Sequence, residues 1–547
     1  MLLSESLSIN SGISWFGFVK QVYGYLKEKI KMQRINKSVL GLLKYSFLVV
    51  VAVFGILSIH AGFASASADS PTVSGPITDG APFLWATSFD LADIGYQQEE
   101  FLISGTANAY EPETGEPFGV DGKWTVTPSA TASYTTRALV YRPIDPKRFN
   151  GTVIVEWFNV SSGLDSAPDW TTAHNELARS GYIWVGISAQ KIGLDSTKAL
   201  GGPRYADLSH PGDSFSYDIF SQAGQAIWDN AVTMLDGLTP TVVIATGESQ
   251  SAFRLVTYIN AVHPIVDVYD GFLVHSRFAF GAPLYQAGTP APVPNPGDVP
   301  SPTQIRDDLN VPVLVFMTET DAAVSGFSVT QPDSDMYRLW EVAGTAHADL
   351  YSVLNGSSDI GDGQDAVKDL ESMQNPPSIV LPGLMECDYP VNTGPQHWVL
   401  QAAVDALNQW VVKGKLPPVA PRFETNGLMF EFDQNGNVRG GIRTPQVDVP
   451  IAMLSGIGNS GVPPEGAFCR LFGTTVPFTA EKIAELYPDH GWFVWQWARA
   501  THMAVKGGFI LPDDGKELMK AAAMSDIGKK PRHLCKRSGR GGGLSTD

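Results

Sequence analysis

The sequence predicts an α/β protein built on a mostly parallel sheet of about eight strands with helices on both faces. Three observations predict it. Short apolar runs such as Thr152 to Trp157, T-V-I-V-E-W, and Val311 to Met317 read as strands buried on both faces. Segments with helical spacing separate them. The stretch Thr241 to Ser251, T-V-V-I-A-T-G-E-S-Q-S, passes from such a run through a tight Gly-Glu-Ser turn into a helix.

Taken in order, the chain opens outside the fold. Lys37 and Lys44 precede an apolar run, Phe47 to Ile59, and Ala64-Ser65-Ala66-Ser67-Ala68 offers A-x-A cleavage sites. Basic start, short apolar middle and small-residue exit describe a secretory signal, too short for a span of about 20 residues. Residues 1–68 are therefore read as a signal segment, with a more typical start at Met32 that leaves 1–31 as spurious. The expected location is secreted or periplasmic.

A β-rich opening follows, with strands expected over Phe101 to Tyr110 and Tyr134 to Tyr141. Next come the strand Thr152 to Trp157, a helix over His174 to Ser180 and the strand Tyr182 to Ser188. Ile219 to Leu238 repeats apolar residues at helical spacing. The strand ahead of Ser249 is the fifth, and Ala252, Leu255, Val256, Ile259 and Val262 carry its helix until Pro264. Val268 to Val274, Val311 to Met317 and Tyr337 to Val342 complete the sheet, and Trp398 to Val412 is a helix ended by Gly414. Phe280 to Ile305 is a Pro-rich excursion or lid, and Met385 to Gln396 a long loop. Val419 to Phe478 is irregular. Ala480 to Ala523 forms a helical extension in which Trp492, Trp495 and Trp497 are expected in the core or along a groove. The folded part spans 69–527, and 528–547 is a basic, Gly-ended tail.

Composition excludes several function classes. Over 547 residues, 44% are hydrophobic and 17% charged, as in a globular chain with a large core. A net charge of −18 argues against nucleic acid as partner. No C-x-x-C, H-E-x-x-H or phosphate-cradling glycine motif occurs, so no metal and no cofactor are expected. The three cysteines are Cys387, Cys469 and Cys535; the first two can pair in the folded part, and the third lies in the tail.

The chemistry centres on Ser249. A serine on a sharp strand-to-helix turn stands above the sheet edge, beside helix N–H groups that favour developing negative charge. The pattern reads G-x-S-x-S, with Ser251 where a glycine is usual. A nucleophilic serine needs a base, and the base an orienter. Asp321 follows the strand Val311 to Met317, and His347 follows Tyr337 to Val342, so both sit at the sheet edge that carries Ser249. The expected roles are Ser249 as nucleophile, His347 as base and Asp321 as orienter. Glu319 is the rival acid and His397 the rival base. His174 and His275 are expected to satisfy local hydrogen bonds, and Glu248 to orient a loop. Gln250 N–H is the expected first oxyanion donor, and Phe158 or Asn159 the second.

These residues fall in longer phrases: V-E-W-F-N-V-S-S-G (155–163), H-N-E-L-A-R-S-G-Y (174–182), A-T-G-E-S-Q-S-A (245–252), T-E-T-D (318–321), W-E-V-A-G-T-A-H-A-D (340–349) and P-V-N-T-G-P-Q-H (390–397). Through them the chain resembles the α/β-hydrolase superfamily and, within it, a bacterial group of α/β-hydrolase domain proteins. The resemblance runs from about Asp69 to Ile527. It implies an α/β-hydrolase fold and a Ser-His-acid hydrolase, and it implies that a serine at position 251 is ordinary in that group. The leading expectation is a serine hydrolase that cleaves small-molecule carboxylic esters through an acyl-enzyme, with no membrane partner after signal cleavage. An amide or polyester hydrolase with the same triad is one alternative, and a non-catalytic binding protein on the same scaffold another.

Overall fold

The computed structural model describes residues 70–113, 117–286, 297 and 299–529. The expected signal segment, Cys535 and the basic tail lie outside the described residues, as does part of the Pro-rich excursion.

Nine strands form one sheet: β1 (Thr72–Ser74), β2 (Tyr96–Pro112), β3 (Val126–Pro143), β4 (Thr152–Trp157), β5 (Ile183–Ile187), β6 (Val242–Glu248), β7 (Gly271–His275), β8 (Val313–Thr318) and β9 (Tyr337–Val342). Their order is β1-β2-β3-β5-β4-β6-β7-β8-β9. The strands from β5 to β9 run parallel, whereas β1, β2 and β3 pair antiparallel. The strand beyond expectation is β1. Its 3 residues are too few to show a period, and it holds only the outer edge of β2. The serine strand is therefore sixth in the chain, not fifth.

Every residue of β4 to β9 is buried. This is why apolar residues dominate these runs instead of alternating with polar ones; exceptions such as Glu156, Arg338 and Glu341 are buried with hydrogen-bond partners. Alternate side chains feed two layers. Val153, Val155, Val243 and Ala245 point into the layer with Ile219, Phe220 and Leu255; Ile154, Val242 and Ile244 point into the layer with Trp170, Leu177, Leu400 and Leu407. The helices α1 (Pro168–Arg179), α2 (Lys191–Leu200), α3 (Ser216–Asp229), α4 (Gln250–Thr257), α5 (Glu319–Val324), α6 (Asp365–Gln374) and α7 (Gln396–Lys413) are distributed around this sheet. α4 continues through a π-helical turn, Tyr258–Val262, and Pro264 lies in the short helix that ends it.

Three helices close the described chain: α8 (Ala480–Leu486), α9 (His490–Gly507) and α10 (Pro512–Met524). Of the tryptophans expected in the core or along a groove, only Trp497 is buried; Trp492 and Trp495 stack on each other and stand 46% and 50% exposed. The inner face of α9 is set by Phe493, Trp497, Thr501 and Ala504, a helical repeat that leaves 492 and 495 outside.

Cys387 and Cys469 form a disulfide across 82 residues. It ties the loop before α7 to the irregular region. There Ala452–Ser455 and Thr474–Pro477 pair as an antiparallel ladder beside the sheet edge that bears Ser249.

Candidate active site

β6 ends at Glu248, and α4 begins at Gln250. Ser249 between them has φ 57° and ψ −115°, a backbone region that a side chain with a Cβ rarely adopts. Its N–H donates to His275 O at 3.0 Å, and Phe253 N–H returns to Ser249 O at 3.2 Å, so the turn is fixed from both sides. Ser251 contributes a local clip: its Oγ accepts from Glu248 N at 3.0 Å and donates to Glu248 O at 2.8 Å. A Cβ on Gly247 would meet the Ser251 backbone at 3.1 Å, which explains the glycine ahead of the serine.

Asp321 and His347 come from the two neighbouring strand ends. α5 starts with a capping box. Thr318 N and Oγ1 donate to Asp321 Oδ2 at 2.8 and 2.7 Å, and Asp321 N donates to Thr318 Oγ1 at 3.3 Å. This leaves Asp321 Oδ1 free to face His347 Nδ1, 2.6 Å away. On the other side of the ring, His347 Nε2 stands 2.7 Å from Ser249 Oγ. Asp321 is fully buried and His347 only 4% exposed, while Ser249 is half-buried. Burial by itself would lower the His347 pKa, but Asp321 and, more weakly, Glu248 outweigh it and hold the ring above 6.5.

The rivals are occupied elsewhere. Glu319 turns away and accepts from Gly344 N at 2.6 Å and Gly456 N at 2.8 Å. Burial raises it to about 7 against the pull of those two N–H groups. His397 is buried on α7, stacked on Tyr351 at 3.7 Å and 3.4 Å from Asp369, and burial lowers it to about 3. His174 bonds Thr171 O and Asp359 O, and His275 bonds Asp169 at 2.7 Å.

One expectation is corrected. Phe158 cannot supply an oxyanion donor here, because its N–H donates to Ile187 O at 3.2 Å. The alternative, Asn159 N–H, is spent on Ser166 O at 3.0 Å. Ser161 N–H is held by Asn159 Oδ1 at 2.8 Å, whereas Val160 N–H makes only a long contact, 3.4 Å, with Gln250 Oε1. Gln250 is the first residue of α4, where an N–H has no carbonyl one turn earlier in its helix.

Several supporting residues escaped the sequence reading. Thr320 Oγ1 accepts from His347 N at 3.0 Å and donates to Gly456 O at 2.5 Å. Asn392 Nδ2 donates to Gly344 O and Ser455 O at 3.1 and 3.0 Å, which joins the loop before α7 to the His347 loop. Phe278 lies against the imidazole with ring centres 5.0 Å apart; Phe253 packs on Phe278, and Phe280 on Phe253. Asn392 belongs to a phrase the sequence already displayed, P-V-N-T-G-P-Q-H. Thr320 likewise lies in a displayed phrase, T-E-T-D, whereas Gly456 carries no comparable signal.

Over residues 73–520 the sequence matches the family described as an alpha/beta hydrolase domain. Solved structures with similarity include an arylesterase, at 13% identity and a TM-score of 0.27, covering 41% of this chain and 80% of that one. A putative dienelactone hydrolase from Klebsiella pneumoniae is 15% identical, with a TM-score of 0.24, and covers 44% and 85%. A brefeldin A esterase, described as a bacterial homologue of human hormone-sensitive lipase, is 14% identical with a TM-score of 0.20, covering 37% and 45%. No curated protein matches the sequence. With the family match extending across nearly all of the described residues, the chain belongs to the α/β-hydrolase domain family.

Proposed function

We propose that this protein is a serine hydrolase of carboxylic esters. The observation that carries the reading is the unbroken relay Ser249 Oγ, His347 Nε2, His347 Nδ1, Asp321 Oδ1, with contacts of 2.7 and 2.6 Å. His347 takes the hydroxyl proton as Ser249 Oγ attacks the ester carbonyl. Asp321 keeps the neutral ring in the tautomer with hydrogen on Nδ1 and stabilises the imidazolium. Gln250 N–H and Val160 N–H receive the developing oxyanion. The imidazolium then protonates the leaving alcohol, which departs past Phe278, an apolar surface that favours apolar alcohols. Water, deprotonated by the same ring, releases the acid from the acyl-serine.

A fluorophosphonate should label Ser249 in the wild type, and Ser249→Ala should lower turnover of a short p-nitrophenyl ester by about 10³-fold or more. Undiminished turnover in Ser249→Ala would end the assignment. Export is part of the proposal. It is supported by Phe47 to Ile59 with its small-residue exit, and by a disulfide that persists in an oxidising compartment. The N-terminal sequence of the mature protein tests it, and a chain that retains residues 47–59 would refute it.

A further inference from the structure

His347 has a second acidic neighbour. Glu248 Oε1 lies 3.5 Å from His347 Nε2, the nitrogen that also faces Ser249 Oγ. Its other oxygen accepts from Asn159 Nδ2 at 3.1 Å, and the same amide donates to Glu248 O at 3.0 Å. Ser251 Oγ clamps the Glu248 backbone from the other side. The carboxyl group is therefore buried, with a side chain 10% exposed, and held where it is. Orienting the ring does not require it, since Asp321 already does so through Nδ1.

We propose that Glu248 is a positioning residue for ester cleavage: acting through His347 from the Nε2 side, its carboxylate stabilises the imidazolium and sets the pH at which the ring becomes available as a base. This rests on the serine-hydrolase reading above. Glu248 takes no proton from substrate. The proton travels from Ser249 Oγ to His347 Nε2 as the Oγ–carbon bond forms, and from Nε2 to the departing oxygen as the ester bond breaks.

The charged groups around Glu248 are His347 after β9, His275 at the end of β7, Asp169 on α1 and Asp321 on α5. Burial raises the Glu248 pKa most; the two histidines oppose it, the two aspartates add to it, and the group titrates at about 7. Because Glu248 titrates in the same range as the ring, the two release their protons as a coupled pair, and the ionised carboxylate 3.5 Å from Nε2 favours the imidazolium. The resting enzyme then holds its inhibitory proton to a higher pH than Asp321 alone would impose, and in exchange forms the imidazolium more easily during the reaction.

The test is the pH profile of kcat/KM from about pH 4 to 9 with p-nitrophenyl acetate, together with the rate of fluorophosphonate labelling of Ser249 over the same range. In Glu248→Gln the acidic limb should move down by about one pH unit in both assays, while the plateau of kcat falls about tenfold. Glu248→Asp keeps the charge but draws it back from Nε2; its limb should move down by about half as much as in Glu248→Gln, with a lowered plateau, which covers the case in which the amide variant does not fold. A loss of packing alone lowers the plateau and leaves the limb in place. A limb displaced by less than about 0.2 units in Glu248→Gln, or in its absence a Glu248→Asp limb and plateau both equal to wild type, would overturn the role. Wild-type labelling at Ser249 with an unmoved limb rejects Glu248 alone, whereas no labelling at Ser249 rejects the serine-hydrolase reading beneath it.

Discussion

Replacing Asp321 with asparagine separates the orienter from every other part of the site. The carboxylate serves two groups at once: Oδ1 faces His347 Nδ1 at 2.6 Å, and Oδ2 accepts from Thr318 N and Oγ1. An amide has only one acceptor. If its oxygen stays with Thr318, its NH₂ faces Nδ1 and forces the hydrogen of the ring onto Nε2, which removes the base from Ser249. If its oxygen faces the ring, NH₂ meets the Thr318 N–H and the turn into α5 loosens. Either way the imidazolium loses its counter-charge. A unit charge pair at 2.6 Å and an effective dielectric near 20 is worth about 6 kcal/mol. At about 1.4 kcal/mol per tenfold, that corresponds to a fall of about 10⁴ in rate. The assay is kcat/KM for p-nitrophenyl acetate on folded protein, with circular dichroism confirming the fold. Asp321→Asn within about tenfold of wild type would mean that the short contact contributes nothing to the chemistry.

Ser249→Gly should abolish turnover and yet raise the thermal midpoint, because glycine adopts φ 57° without strain; the gain is about 1 kcal/mol after the entropy cost of glycine, and a lowered midpoint would refute the strain. Reducing the Cys387–Cys469 bond releases a loop of 82 residues and should cost up to about 4.5 kcal/mol by chain entropy. Esterase activity should fall in parallel, since Asn392 within that loop braces Gly344; full activity after complete reduction would disconnect the two. Burial holds Glu319 at about 7, above its ordinary 4.5, so the folded chain keeps this proton where the unfolded chain has lost it. Stability should therefore fall as pH rises from about 4.5 to about 7, and Glu319→Gln should flatten that slope in chemical denaturation; an unchanged slope contradicts the assignment.

The parts that depend on neighbours in the chain were legible in advance. β4 and β6 to β9 are mainly apolar runs, and the serine turn is bounded by a strand and a helix that each announce themselves. Asp321 against Glu319 stayed open because two positions on a turn differ only by where the helix starts. The capping box T-E-T-D decides it: a helix beginning at Glu319 sends its first and third residues to different sides. The Phe158 misreading had a different origin. Whether an N–H at a strand end is free depends on the strand beside it, here Ile187 on β5, and pairing across the sheet is not written locally. Trp492, Trp495 and Trp497 could have been sorted by period, since a helix face that holds 493, 497, 501 and 504 has no room for the first two.

The brace at Gly456 imposes a timetable on synthesis. Its N–H satisfies Glu319 and its carbonyl holds Thr320, so the loops bearing Asp321 and His347 acquire their buttress only from a segment made long after Ser249. A ribosome-bound chain stopped short of residue 456 already carries its nucleophile but has no firm scaffold behind the base. Such a nascent chain should stay silent towards a fluorophosphonate and become reactive only on completion; labelling of a stalled chain ending before residue 450 would show that the buttress is dispensable.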